Sequence, residues 1–299
     1  DNRCQAVIAF GGGSPMDCAK AACARVRCPK KPIQKMRGTL TIRKKLPTLY
    51  AVPTTAGTGS ETTLAAVVSD PETHEKYAIQ DPVLRPKYAV LDAELTVGLP
   101  PHITSTTGMD ALTHAIEGYI TKGAWVMSDM YELQAIKMIA ENLPIAVEEP
   151  QNPVGREGMA LAQYIAAQAF SNVGLGLVHG MAHPMGSLFD IPHGVANALL
   201  LPTVMEFNKP VCVDKYVEIA KAMDAYKEGM TKAEAAQAAC DAVRALAIEV
   251  GIPQHLSEIG IKEEDIDALA DQAIADVCTP GNPRQVTRAD IVELYRKVL

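Results

Sequence analysis

The 299-residue sequence lacks a hydrophobic run long enough to cross a lipid bilayer. Its longest apolar stretches, such as residues 195–201, fall well short of the roughly 20 residues that a membrane-spanning helix requires. A signal peptide is not visible either. We therefore expect no membrane partner.

An excess of positive charge is also missing. The formal net charge at pH 7 is −7, and the isoelectric point is near 5.5. Surfaces that bind nucleic acid are basic because they neutralise phosphates. The sequence therefore argues against a nucleic-acid partner.

Paired cysteines are the third absence. The seven cysteines are odd in number, and none of them forms a Cys-x-x-Cys pair. This pattern argues against a disulfide framework or a zinc ribbon and favours free thiols in a reducing, cytoplasmic compartment. We interpret Cys278 as an inert buried thiol, since free cysteines are often buried.

Histidine is scarce but concentrated. Of seven histidines, four lie in two short segments: His114 follows Asp110 by four residues, and His179 precedes His183 by four, with His193 close behind. On a helix, side chains four residues apart share one face. A single such histidine is more often a hydrogen-bonded core residue, but Asp110 in this apolar stretch would then bury a charge without a partner. The cluster indicates a divalent metal site.

A glycine loop opens the chain. The apolar residues 6–10 lead into Gly11-Gly-Gly-Ser-Pro-Met-Asp17, a pattern typical of a strand, a tight loop and a helix. We predict Ser14 as the helix N-cap, Pro15 as the first helical residue and Asp17 as the end of a capping box. A helix start of this kind suits a phosphate or pyrophosphate. The loop is neither Gly-x-Gly-x-x-Gly nor a Walker loop, so an ordinary turn remains the alternative.

A second glycine loop follows the apolar residues 46–52 and reads Pro53-Thr-Thr-Ala-Gly-Thr-Gly-Ser-Glu61. Open α/β sheets bind ligands at the ends of their strands. Two polar, closely approachable loops after two strands make a nucleotide site more credible than either loop alone. An ordinary Gly/Thr connection is the alternative.

Strand patterns stop near residue 92, and long helical patterns replace them after about residue 98. The predicted strands are residues 6–10, 46–52, 64–69, 76–79 and 87–91. The predicted helices are residues 102–119, 128–141, 155–170, 172–183, 193–207, 215–223, 232–250, 263–275 and 288–298. We expect the helix after His183 to end at Pro184, Gly186 and Pro192. The length suits two domains, residues 1–98 and 99–299.

These motifs together resemble the iron-containing, or group III, alcohol dehydrogenase family. The resemblance is carried by the two glycine loops and by four later motifs in the family's order. They are Gly-Met-Asp-Ala-Leu-Thr-His-Ala-Ile-Glu at 108–117, Gly-Leu-Val-His-Gly-Met-Ala-His-Pro at 176–184, Pro-His-Gly-Val-Ala-Asn at 192–197 and Cys-Thr-Pro-Gly-Asn-Pro-Arg at 278–284. The resemblance implies an α/β dinucleotide-binding domain followed by an all-α metal-binding domain, with the active site between them.

The resemblance also implies the roles of individual residues. The metal ligands would be Asp110, His114, His179 and His193, and His183 would lie near the nicotinamide without ligating. The dinucleotide would meet the residues Gly12, Gly13, Ser14, Asp17, Thr54, Thr55, Thr58 and Lys76. For Lys76, a solvated lysine in a hairpin is the alternative.

The family's chain begins with several strands and helices before its first glycine loop, whereas this sequence starts at Asp1. We therefore expect an N-terminally truncated form of that chain. The missing part normally selects between NAD(H) and NADP(H), so both cofactors stay open.

The resemblance predicts hydride transfer between NAD(P)(H) and a short primary alcohol or aldehyde, as in lactaldehyde and propanediol reductases. Iron(II) would polarise the substrate oxygen, with zinc as an alternative metal, and His183 would relay the hydroxyl proton. A homodimer or larger homo-oligomer is expected by likeness alone.

Two other functions stay open. A non-redox enzyme of the dehydroquinate synthase type would need several Lys and Arg near the metal, and the segments around Asp110, His179 and His193 are short of them. A truncated fragment that only binds metal or assembles with other subunits is the second.

Overall fold

The structure, a computed structural model, describes residues 4–69 and 76–299, with Ser69 and Lys76 described only by their backbone. The strands are β1 Ala6–Gly11, β2 Gly38–Thr39, β3 Thr48–Pro53, β4 Ala65–Ser69, β5 Lys76–Gln80 and β6 Tyr88–Ala89. The helices are α1 Gly13–Arg27, α2 Pro101–Ile120, α3 Val126–Glu148, α4 Pro153–Val173, α5 Leu177–Phe189, α6 His193–Ala222, α7 Lys232–Glu249, α8 Ile266–Ala275 and α9 Arg288–Lys297. The predicted order, strands first and helices after them, is confirmed.

The strand β3 pairs in parallel with β1 on one side and with β6 on the other. In the register of β1 and β3, Gly11 lies opposite Pro53. Because parallel strands end at the same edge of a sheet, both glycine loops emerge side by side.

The remaining described strands form a second sheet in the order β2-β5-β4, in which β4 and β5 are antiparallel. The two predicted strands of the hairpin are therefore paired, whereas residues 70–75 between them lie outside the described residues. The Lys76 side chain lies outside the described residues, so its contact with the cofactor stays a prediction.

Three predicted helix ends are wrong. The helix α3 passes through Pro144 and ends at Glu148 instead of at residue 141. Residues 172–183 do not form one helix, because α4 ends at Val173 and α5 begins at Leu177. Pro184 does not end α5 either, since the helix continues to Phe189. Proline removes one backbone hydrogen bond, and burial of Met185 against the neighbouring helices keeps this turn helical.

The predicted break between residues 207 and 215 is a kink instead of a loop. The helix α6 passes through Pro202 and Pro210, and its backbone leaves helical geometry at Cys212, with φ −121° and ψ 17°. A proline that lacks its N–H bends a helix in this way without separating the two parts.

The helix α2 lies at the centre of the main hydrophobic core. All of its residues from Gly108 to Ile120 are buried, because α3, α4 and α6 pack around it. Polar side chains on α2 are therefore held inside the protein. None of the helices in the described part of the chain has the length and hydrophobicity that crossing a bilayer requires.

Candidate metal and dinucleotide site

Four side chains from three helices meet at one point. The helix α2 supplies Asp110 and His114, α5 supplies His179, and α6 begins with His193. One ligand atom from each lies within 4.8 Å of the other three. We call these residues the four-donor site. Asp110, His114 and His179 are buried, whereas the His193 side chain is 44% exposed.

The chain turns back sharply between the last two donors. Asp190 adopts left-handed backbone geometry, with φ 54°, and closes α5, and Pro192 then precedes the first residue of α6. Asp has a short polar side chain that tolerates this conformation. The turn lets His193 approach the site from a different direction from His179.

The four-donor site suits a divalent metal. It combines three imidazoles with one carboxylate, the donor set that iron(II) or zinc binds. Among the ion pairs of the described residues, none joins Asp110 to a lysine or arginine. Burial lowers the pKa of His179 well below its usual value, and the neighbouring imidazoles of His114 and His193 lower it further. The neutral form that results is the form that ligates a metal.

The carboxylate of Glu117 is hydrogen-bonded to the imidazole of His179. Its Oε2 atom lies 2.7 Å from Nδ1 of His179, and both residues are buried. The carboxylate also accepts backbone hydrogen bonds from Gly176 at 3.1 Å, Val178 at 2.6 Å and His179 at 3.4 Å. Burial raises the pKa of Glu117 to about 7, and these backbone donors oppose the rise.

Asn197 braces the opposite side of the site. Its Nδ2 donates to Oδ1 of Asp110 at 2.7 Å and lies 3.2 Å from Nε2 of His179 and 3.1 Å from Nε2 of His193. Its Oδ1 atom is buried and has no hydrogen-bond partner among the described residues. Asn197 thus contacts three of the four donors.

His183 lies beside the four-donor site and not in it. Its ring stacks on that of His193, with centroids 5.6 Å apart, and its side chain is 40% exposed. The Nδ1 atom donates to Oδ2 of Asp276 at 2.8 Å, since a carboxylate can only accept. The backbone N–H of Cys278 donates to the other oxygen of Asp276 at 2.8 Å. Burial raises the pKa of the Cys278 thiol well above its usual value, which disfavours a reactive thiolate.

The first glycine loop differs from its prediction at the helix start. The helix α1 begins at Gly13, Gly12 is the N-cap, and no side chain caps the helix. The prediction of Ser14 as N-cap and Pro15 as first helical residue is therefore wrong by two positions. Gly11 explains the shift: its φ is +142°, a conformation open mainly to glycine, and it lets the chain enter the helix early. The first amides of α1 stay free of side-chain caps, as an anion site requires.

The two glycine loops contact each other closely. A Cβ atom on Gly12 would lie 3.3 Å from Oγ1 of Thr55, and one on Gly13 would lie 3.2 Å from Cγ2 of Thr58. The Thr54 amide donates to the Gly11 carbonyl at 3.1 Å. The Thr55 hydroxyl is buried without a partner among the described residues. The two loops are therefore packed against each other, and glycine at positions 12 and 13 allows this close approach.

Asp17 and Lys20 form hydrogen bonds to the second glycine loop and to the residues that follow it. The Asp17 carboxylate accepts from Ser60 Oγ at 2.7 Å and from the Val67 amide at 3.0 Å, so its predicted capping box is wrong. The buried Lys20 donates to the hydroxyls of Ser60 and Thr63, each at 2.9 Å. Burial lowers the pKa of Lys20 to about 8, and the charge of Asp17 opposes this.

The second glycine loop also packs against the metal-site helices. A Cβ atom on Gly57 would lie 2.5 Å from the carbonyl oxygen of Thr107, and one on Gly59 would lie 2.3 Å from Cβ of Ala167. Thr107 belongs to α2, one turn before Asp110. The second glycine loop thus lies against the helix that supplies Asp110 and His114.

Three residues around the site were missed by sequence reasoning: Glu117, Asn197 and Asp276. The spacing along the sequence could have indicated two of them. Glu117 continues the spacing of Asp110 and His114 along one face of α2, and Asn197 follows His193 by four residues on α6. Asp276 lies in a loop after α8, and no spacing links it to His183.

Known proteins resemble the chain along its whole length. Residues 1–93 match the family model "Iron-containing alcohol dehydrogenase", and residues 104–299 match "Fe-containing alcohol dehydrogenase family, C-terminal". The lactaldehyde reductase of Escherichia coli K12 is 48% identical over 290 residues, which are 97% of this chain and 75% of that protein. The 1,3-propanediol dehydrogenase of Klebsiella pneumoniae is 40% identical, covering 99% of this chain and 76% of its own length.

Solved structures agree. A crystal structure of 1,3-propanediol oxidoreductase superimposes with a TM-score of 0.97 at 40% identity and covers 99% of this chain and 78% of its own. The NAD⁺ complex of sulfoacetaldehyde reductase from Bifidobacterium kashiwanohense superimposes with a TM-score of 0.87 at 33% identity and covers 99% and 77%.

Proposed function

The chain belongs to the iron-containing alcohol dehydrogenase family, and from that premise we propose how its residues carry out the reaction. It is an oxidoreductase that transfers a hydride between a nicotinamide dinucleotide and a short alcohol or aldehyde. Its fold is the α/β dinucleotide-binding domain followed by the all-α domain of that family.

We assign iron(II) to the four-donor site. The single observation that supports this assignment most is the convergence of Asp110, His114, His179 and His193 within 4.8 Å of one another. When bound, the iron acts as a Lewis acid toward the substrate oxygen, and the nicotinamide accepts or supplies the hydride.

His183 handles the proton of the substrate hydroxyl. Asp276 binds Nδ1–H of His183, which leaves the Nε2 lone pair free to accept a proton. The partial exposure of the ring allows this proton to pass to water. Phe170, stacked on His114 with centroids 4.3 Å apart, shields the inner side of the site from solvent.

The glycine loops hold the dinucleotide. Gly12, Gly13 and Ser14 present the start of α1 to the pyrophosphate, while Thr54, Thr55 and Thr58 supply hydroxyls to the remainder of the cofactor. Asp17 acts through Ser60 and keeps the second loop in place.

The substrate class follows from the relatives. Lactaldehyde reductase, 1,3-propanediol dehydrogenase and the NAD-dependent methanol dehydrogenase of Bacillus methanolicus act on small alcohols or aldehydes by name. We propose a short primary alcohol or diol as substrate and NAD(H) as cofactor.

We further propose the domain boundary at residue 98, between the two family matches. The seven free cysteines support a cytoplasmic location, and likeness to the family supports a homodimer or larger homo-oligomer.

One assay tests this function. The chain, purified anaerobically and loaded with iron(II), is mixed with NADH and lactaldehyde, and the absorbance of NADH is followed at saturating aldehyde. Consumption of NADH that requires both iron and aldehyde supports the proposal. A protein that retains one iron per chain and binds NADH but never oxidises it would contradict the proposal and favour a non-catalytic fragment.

A further inference from the structure

We infer that Glu117 is a positioning residue that sets the tautomer and orientation of His179 for metal binding. The inference rests on the proposed role of the four-donor site.

The first step is the hydrogen bond between Glu117 and His179. Its 2.7 Å length joins Oε2 to Nδ1, and Oε2 is an acceptor here because it also accepts the backbone N–H of Gly176. His179 must therefore carry its proton on Nδ1, and the lone pair on Nε2 faces the other donors. A carboxylate behind a ligating histidine also makes the imidazole a stronger base toward the metal.

The second step is the rigidity of the carboxylate. The amides of Gly176 and Val178 donate to its two oxygens at 3.1 and 2.6 Å. A Cβ atom on Gly176 would lie 3.0 Å from Oε1, so a side chain at this position would press on the carboxylate. Glu117 cannot swing away without uncapping the first turn of α5.

The third step is the shared helix. Asp110, His114 and Glu117 follow one another at spacings of four and three residues, so they lie along one face of α2. The buried helix α2 thus supplies two donors and also the carboxylate of Glu117, which binds a third donor, His179. The helix α2 therefore fixes the positions of Asp110, His114 and Glu117 relative to one another.

The competing explanation is that Glu117 only caps α5. A second cap separates the two explanations: Asn282 Oδ1 accepts from the Leu177 amide at 3.4 Å, and among the described residues Asn282 makes no hydrogen bond to His179. A matched carboxylate is also present, because Glu132 is a fully buried glutamate with no hydrogen-bond partner among the described residues.

The test measures metal affinity instead of turnover. Metal-free wild type and the variants E117Q, E117D, N282A and E132Q are titrated with cobalt(II), and the visible absorption of bound cobalt reports both affinity and ligand geometry. Circular dichroism establishes that each variant is folded. We expect E117Q to weaken cobalt binding by about 10- to 100-fold and to alter the spectrum, while N282A and E132Q keep the wild-type spectrum and affinity.

The outcomes separate the possibilities. E117D keeps the charge but shortens the side chain, so we expect an affinity between those of wild type and E117Q, and this variant decides the question if E117Q does not fold. Equal cobalt affinity and spectra for E117Q or E117D and wild type would overturn the inference, as would an equal loss in N282A. A wild-type protein that binds no cobalt would instead refute the proposed four-donor site itself.

Discussion

The two halves of the proposed active site use different chemical groups. The four-donor site consists of side chains on α2, α5 and α6, and its chemistry depends on which side chains they are. The glycine loops offer mainly backbone amides and hydroxyls, and they approach their neighbours closely where glycines lack a Cβ atom. Substitutions in the first half should therefore remove a component of the reaction, whereas those in the second should change how tightly a component is bound.

The largest effect should come from His179→Ala. Loss of this buried donor should abolish metal retention, and kcat/KM should fall by at least about 1,000-fold, because metal catalysis supplies several kcal/mol of charge stabilisation. Iron content by elemental analysis and the NADH assay measure the two together. Full activity with a full complement of iron would refute the ligand assignment.

The His183→Ala variant should show that metal binding and proton transfer depend on different residues near the four-donor site. We expect bound iron to stay at the wild-type level and kcat to fall by about 100-fold, the contribution of a positioned acid–base group. A variant that loses its iron would show that His183 ligates and that the four-donor site was assigned incorrectly.

The Lys20→Met variant tests whether the glycine loops affect cofactor binding without affecting the metal. Without the ammonium group that binds Ser60 and Thr63, the second loop loses its fixed position. We expect the dissociation constant of NADH to rise by about tenfold, the equivalent of 1.4 kcal/mol, with iron content unchanged. NADH fluorescence measures the binding. Loss of iron in this variant would mean that the two halves are not separable.

Glu132→Gln should have the smallest effect, and on stability alone. Burial first, and then the charge of Asp129, raises the pKa of Glu132 well above its usual value. A raised pKa in the folded state means that its stabilising contribution is present below the unfolded pKa, about 4.3, and is lost as pH rises. Glutamine mimics the protonated acid, so the variant should unfold less readily than wild type at pH 8.

The expected gain at pH 8 is about 1.4 kcal/mol for each pH unit by which burial raises the pKa of Glu132, and it should shrink as pH falls toward 4. Urea unfolding at the two pH values measures it. A difference that does not change with pH would show that Glu132 does not titrate in the folded protein.

The same contrast explains what could be predicted from sequence. The spacing of Asp110, His114, His179 and His193 indicated a metal site because helical periodicity fixes which side chains share a face. The structure brings those four residues together. The spacing of Glu117 and Asn197 relative to the donors could have been used in the same way. A glutamate or an asparagine at such a position does not by itself indicate a metal site.

The remainder depended on tertiary packing. Ser14 and Pro15 form a good local helix start, yet α1 begins earlier because Gly11 turns the chain sooner. Pro184 is a local stop signal, and the packing of α5 overrides it. The link between His183 and Asp276 joins residues 93 positions apart, a distance at which no local pattern operates.

Unequal burial among the four donors has one further consequence. Asp110, His114 and His179 are enclosed by protein, and His193 alone is substantially exposed. We therefore expect a chelator to reach a bound ion from the side of His193. A substitution that buries this ring should accordingly slow the loss of the ion to a chelator.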